Sequence, residues 1–191
     1  MTKKDAICDA ALELFAHKGI QATTTREIAE RAGAAEGTLY RHFDGKDDLA
    51  EWLYNRCATQ LHDRLTERIG DADTPDERLV ALIRGVFDFF TDQPTSCTYL
   101  LSARSNNGNQ EHRDALPAPM RLFVTTLEEG MEEGPFRPAA PSLVAGWILS
   151  MVQRTVLFLK SDHLAMKRQD AIDQTIEAAL RLVRDRTPSS N

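Results

Sequence analysis

The stretch Thr23–Leu49, TTTREIAERAGAAEGTLYRHFDGKDDL, decides how this chain folds. Thr24 followed three positions later by Glu27 matches a capping box, so a helix should open there. Gly33 breaks that helix early, and a second short helix fits EGTLYRHF, residues 36 to 43. Ile28 and Ala32 lie four apart and Leu39 follows on the next helix, which gives the pair a small shared core. Ala29 is small and lets the second helix approach closely. Gly33 sits where the chain must turn sharply, a place that suits a residue tolerant of positive φ. The spacing is that of a helix-turn-helix. So short a second helix buries little apolar area. Its side chains Glu36, Thr38, Tyr40, Arg41 and His42, with Lys46 just beyond, are left to reach phosphates and base edges in a major groove.

Working outward, residues 3 to 18 place Ile7, Ala11, Leu14 and Phe15 on one stripe, with Gly19 as a C-terminal cap. After Asp44-Gly45 a longer helix fits 46 to about 69, with Leu49, Trp52, Leu53, Leu61 and Leu65 on its apolar side. Thr74-Pro75-Asp76-Glu77 combines a cap residue, a first-turn proline and an acid at the third position, so a helix should run from there to about 92. Pro94 ends it. Residues 95 to 105 suggest another helix and SNNGNQ, 105 to 110, a loop. An amphipathic helix follows over 115 to 133, carrying Leu116, Met120, Phe123, Leu127 and Met131. The three prolines of PFRPAAP keep that link non-helical. The most apolar helix covers 142 to 160, the last one 166 to 186, and the end frays. No stretch alternates like a strand. The expectation is all-α: residues 1–46 as a three-helix DNA-binding domain, 47–187 as a larger helical bundle for ligand binding and dimerisation, and 188–191 as a tail.

The chain has 191 residues, 42% hydrophobic and 27% charged, which is ordinary globular composition and excludes a disordered, collagenous or disulfide-dense class. With 23 Lys or Arg against 29 Asp or Glu, the net charge of −6 argues against non-specific coating of nucleic acid. Through residue 56 there are eight Lys or Arg against ten Asp or Glu, so even the head is acidic. Cys8, Cys57 and Cys97 are odd in number and lack metal-type spacing, which suggests a reducing compartment. MTKKDAICDA meets acid and polar residues before any long apolar run, so no signal peptide is expected. The apolar run Leu143 to Val152 stops at Gln153-Arg154, short of the roughly 20 residues of a spanning helix. These features together imply a cytoplasmic protein with no membrane partner.

The head resembles the DNA-binding domain of the TetR family of transcriptional regulators. The pattern is carried by Phe15, Gly19, Thr24 or Thr25, Ile28-Ala29, Ala32-Gly33, Gly37-Thr38-Leu39-Tyr40, His42-Phe43, Lys46 and Leu49, over about residues 3 to 50. Ala35 departs from it, standing where many relatives have a Ser N-cap. The resemblance implies a homodimer with one reading head per subunit, bound to a palindromic, double-stranded operator. It implies backbone-phosphate contacts for Thr24, Thr25, Tyr40, His42 and Lys46, and base contacts at Glu36, Gly37, Thr38 and Arg41. Blander readings stand beside these. Thr24 caps its helix whether or not it meets phosphate, Tyr40 could be core, and Lys46 could be solvated. Glu36 either accepts from a cytosine amino group or is a solvated helix-end acid.

Beyond residue 50 the chain matches the family in pattern only. The helices at 142–160 and 166–186 are the candidates for a dimer bundle. The first is apolar nearly all round, with Leu143, Val144, Trp147, Ile148, Met151, Val152, Leu157 and Phe158, and could equally be a central core helix. A pocket for an unknown small-molecule effector would be lined by Phe87, Phe90, Tyr99, Arg104, Phe123, Trp147, Met151 and Gln153. Aromatic stripes at helical spacing serve a core just as well. Gln153 and Arg154 interrupt an apolar helix, where burying them unpaired would be costly. No catalytic or metal motif is present and no cofactor is expected. The reading is a ligand-responsive repressor. The alternatives are a redox-sensing regulator that uses its cysteines and a helical interaction protein that never binds DNA.

Overall fold

The computed structural model describes residues 2–103, 117–161 and 165–184, and the described residues are helices joined by turns. They form α1 (Lys3–Lys18), α2 (Thr25–Arg31), α3 (Glu36–Tyr40), α4 (Lys46–Ile69), α5 (Pro75–Asp92), α6 (Pro94–Ala103), α7 (Ala118–Glu133), α8 (Pro141–Lys160) and α9 (Arg168–Val183). Each expected helix is present, several with shifted ends. Pro94 does end α5, and it also begins α6, since a proline costs least in a first helical turn. α3 stops three residues earlier than residues 36 to 43 suggest. The amides of His42 and Phe43 both donate to the carbonyl of Leu39 at 3.0 Å, which tightens the last turn and swings Phe43 into the core. SNNGNQ lies outside the described residues.

The chain divides into two compact units, Met1–Gln60 with Asp92–Ala115, and Leu61–Thr91 with Leu116–Asn191. This division differs from one drawn after residue 46, because the start of α4 and all of α6 pack with the head.

In the first unit Ile7, Ala11, Phe15, Ile28, Leu39, Leu49 and Leu53 form one fully buried core with Tyr99 of α6. The Tyr99 ring stacks on Phe15 with centroids 6.0 Å apart, and its hydroxyl donates to the carbonyl of Ala50 at 2.7 Å. That bond matters because a buried hydroxyl without a partner would cost about 1–3 kcal/mol. Burial and the hydrophobic setting push the phenol's pKa well above its usual value.

In the second unit the core is built from Leu65, Leu79, Leu82, Ile83, Phe87, Phe123, Leu127, Ile148, Val152 and Val156. α5 and α9 run antiparallel, pinned by side chains. Arg168 donates to Thr91 and to the Phe87 carbonyl, Arg84 pairs with Asp173 at 2.7 Å, and Arg184 pairs with Asp76 at 2.5 Å. The proline-rich link after α7 is latched to the end of α9, where the Arg137 amide donates to the Val183 carbonyl and its Nε to that of Leu182. Gly130 lies against the Phe136 ring so closely that a Cβ there would overlap it.

α8 is longer than its apolar run suggests. It continues past Gln153-Arg154 through Thr155–Leu159, giving 20 residues that are long and apolar enough, by length and composition, to cross a membrane. Val144, Ala145, Ile148, Val152 and Val156 face the second unit's core. The opposite side is open: Leu143 is 52% exposed, Trp147 46%, Leu157 40% and Phe158 39%. These follow a helical repeat of four, ten and one residues and so form one stripe.

Candidate nucleic-acid interface

The head presents α2 and α3 with their polar sides outward because each is short and anchored from beneath. α2 begins at a full capping box. The Thr24 hydroxyl accepts from the Glu27 amide at 3.2 Å, and the Glu27 carboxylate accepts from the Thr24 amide at 2.9 Å. Lys18 adds an ion pair to the other Glu27 oxygen at 2.5 Å. The Lys18 bond first, then the Thr24 amide, holds the Glu27 carboxyl down to about 2. Gly33 adopts φ +59° between the helices, as a tight turn demands. The Lys3 ammonium spans 30 residues of sequence to donate to the Gly33 carbonyl at 2.9 Å. α3 is then fixed by one fully buried side chain, Leu39, and has no side-chain cap at Ala35.

The candidate contact residues share this face. Glu36, Gly37, Tyr40, Arg41 and His42 are exposed, and Thr38 is half-buried. Tyr40, at 55% exposure, is the most exposed large aromatic among the described residues, so it is not a core residue. The structure joins three of them. The Tyr40 hydroxyl donates to Thr25 Oγ1 at 3.4 Å, and Thr25 Oγ1 donates to Glu36 Oε1 at 2.6 Å. Lys46, at the start of α4, donates to the carbonyl of Thr23 at 3.0 Å and reaches that of Gln21 at 3.5 Å. It therefore clamps the turn that leads into α2, and an ammonium has a third proton to give. Thr24 spends its hydroxyl on the cap.

Sequence reasoning missed Lys3, Lys18 and Lys4. Lys4 lies over the rings of Phe43 and Trp52, 5.3 and 4.8 Å from their centroids, while Arg56 sits 5.5 Å from the Trp52 centroid on the same ring. Such contacts need the folded arrangement of α1 against α4, and no short sequence pattern announces them.

The candidate ligand residues are dispersed. Phe87 and Phe123 are fully buried in the second unit, and Phe90 is nearly so, with the Lys160 ammonium 5.0 Å from its ring. Met151 and Gln153 are half-buried on α8, and Trp147 belongs to its open stripe. Tyr99 is in the core of the first unit. Arg104 lies outside the described residues. A separate open groove of about 470 Å3 in the second unit is lined by Arg68, Asp76, Glu77, Val80, Ala81, Arg84, Leu180 and Arg184, none of them in that set. The three cysteines are free and buried, and burial pushes the Cys8 thiol up to about 11 and raises that of Cys57. Neither is a ready thiolate.

Comparison with known proteins adds an independent line. Residues 7–53 match the pattern of bacterial regulatory proteins of the tetR family, and residues 72–183 match that of the tetracyclin repressor-like C-terminal domain. The chain is 27% identical over 141 residues to the HTH-type transcriptional repressor KstR2 of Mycobacterium tuberculosis, covering 72% of this chain and 70% of that protein. A tetR-family transcription regulator from a Shewanella species superposes with a TM-score of 0.85 at 21% identity, covering 97% of this chain and 100% of that one. The transcriptional regulator FadR of Bacillus subtilis, solved in complex with stearoyl-CoA, superposes with a TM-score of 0.73 at 24% identity, covering 94% and 96%.

Proposed function

The chain belongs to the TetR family of bacterial regulatory proteins, and on that premise we propose that it is a repressor that binds operator DNA as a homodimer and is released by a small molecule. The observation that carries the reading is the α2–turn–α3 unit, with Leu39 fully buried beneath and Glu36, Gly37, Tyr40, Arg41 and His42 exposed above. Residues 36 to 42 enter the major groove. Tyr40, His42, the third proton of Lys46 and the backbone amide of Thr25 at the start of α2 meet phosphates, while Thr24, whose amide is held by Glu27, lies beside them as the cap. Glu36, Gly37, Thr38 and Arg41 face base edges. The head's net negative charge limits non-specific affinity, so two correctly spaced heads are needed for tight binding.

Residues 47–187 carry the effector and the dimer interface. The open stripe of α8, together with α9, is the face that pairs with a second copy. It explains a helix that could otherwise be read as membrane-spanning. The effector is an apolar molecule with an anionic end, of the acyl-CoA kind that FadR of Bacillus subtilis holds. The aromatic core formed by Phe87, Phe90 and Phe123 favours such a chain. An effector that prefers a body conformation with mis-spaced heads lowers operator affinity by no more than that preference. The burial of all three thiols disfavours the cysteine-sensing alternative.

A mobility shift on DNA upstream of the protein's own gene, titrated with salt, tests the reading. Specific, salt-sensitive binding is expected, with release by stearoyl-CoA but not by coenzyme A alone. Tyr40→Phe with Lys46→Ala should weaken binding to all sequences and, through the lost lysine charge, flatten the log–log salt slope by about 1. Absence of any specific complex would overturn the reading.

A further inference from the structure

The hydroxyl chain on the reading face has a direction, and the direction has a consequence. Thr25 Oγ1 accepts from the Tyr40 hydroxyl at 3.4 Å and donates to Glu36 Oε1 at 2.6 Å. A threonine hydroxyl has one proton, and the short bond shows where it goes. The Tyr40 proton sits in a bond at the long limit of the range, so a phosphate oxygen can draw it away at little cost. The Thr25 proton is committed. Thr25 and Glu36 are 11 residues apart, on different helices, so the bond also fixes where the Glu36 side chain lies relative to α2. Its second oxygen, Oε2, takes no hydrogen bond among the described residues, the Arg26 guanidinium acts on the same carboxylate only through its charge, and the side chain is exposed on the face that the proposed function turns to the groove.

We propose that Glu36, held by Thr25, is a specificity-determining residue that selects cytosine at one base pair of each half-site. The proposal rests on the DNA-binding reading above. A carboxylate only accepts, and the major-groove edges offer few donors. Guanine presents two acceptors and thymine one, and both repel it. Adenine presents an amino donor beside the N7 acceptor. In the duplex the cytosine N4 amino group has an acceptor on one side only, the O6 of its paired guanine, whereas adenine N6 is flanked by its own N7 and the paired thymine O4, so cytosine better suits a carboxylate with a single free oxygen. The same charge repels phosphates, so Glu36 lowers total affinity while raising discrimination. Thr25 acts through Glu36 as a positioning residue, and reaches the backbone through its amide rather than its hydroxyl.

The experiment is selection of binding sites from a random duplex library by the full-length protein and by E36A, E36Q and T25V. The wild type should enrich cytosine at one symmetric position per half-site. E36A should lose that preference, roughly tenfold, keep preferences elsewhere, and bind non-cognate DNA at least as tightly as before. T25V should blur the same position, and E36Q should move it toward adenine, which a glutamine amide matches at N6 and N7. Preferences retained at other positions show that each variant is folded. Full cytosine preference in E36A, or loss spread evenly over all positions, overturns the assignment. A wild type that enriches no sequence sinks the DNA-binding reading itself, a distinguishable failure.

Discussion

The reading head and α8 solve opposite problems. In the head, the seven-residue α2 is fixed at both ends by polar bonds, and the five-residue α3 hangs on one buried side chain, Leu39. Thr24 and Glu27 close a capping box, Lys18 secures Glu27, Lys3 ties down Gly33, and Lys46 holds the turn before α2. α8 has twenty residues and apolar side chains in excess, and Leu143, Trp147, Leu157 and Phe158 are left open. The head is specified by bonds at named positions. α8 is specified by area, which is non-directional and does not say what it will cover.

The contrast can be broken most forcefully in the second unit's core. Phe87→Ala should cost about 3–5 kcal/mol in chemical denaturation of the full chain, because the ring is fully buried. Next is the α8 stripe. Trp147→Glu should raise the dimer dissociation constant by at least about thirtyfold in sedimentation, as loss of an aromatic anchor does. A dimer of unchanged strength would place the interface elsewhere. The head should respond to smaller, local changes. Thr24→Ala should cost about 1 kcal/mol as a lost cap, and its effect should concentrate in hydrogen exchange of α2. The same network carries a pH signature. The Glu27 carboxyl is lowered from 4.5 to about 2, so it stabilises the fold above pH 4.5 and loses that contribution as pH falls to about 2. Glu27→Gln should therefore be less stable than wild type at pH 7 and nearly equal to it at pH 2, read as urea midpoints.

The same contrast explains what the sequence could reveal. The Thr24–Glu27 capping box and the Gly33 turn were legible because each depends on neighbours only a few residues away. The early end of α3 was not, because Arg41 and His42 tolerate a helix or a turn equally and buried Phe43 decided the outcome. Tyr99 was left open for a related reason: an aromatic at helical spacing looks the same whether it lines a ligand cavity or fills a core. Only the packing of α6 on α1 distinguishes them. On α8, periodicity could not separate the covered side from the open one, since both are apolar. The Thr25–Glu36 bond also escaped notice, since side chains that meet across a turn leave no periodic trace.

The bond from Tyr99 to Ala50 closes a loop of 49 residues, and the ring it anchors fills the centre of the head. A ribosome making this chain would release all three helices of the head long before that ring emerges. Until then Phe15 lacks its stacking partner and the Ala50 carbonyl lacks its donor. The nascent head is thus an unfinished core, and it closes only when more than half the chain has been translated. Competence to read DNA would then arrive late in synthesis, when much of the body that governs it is already made.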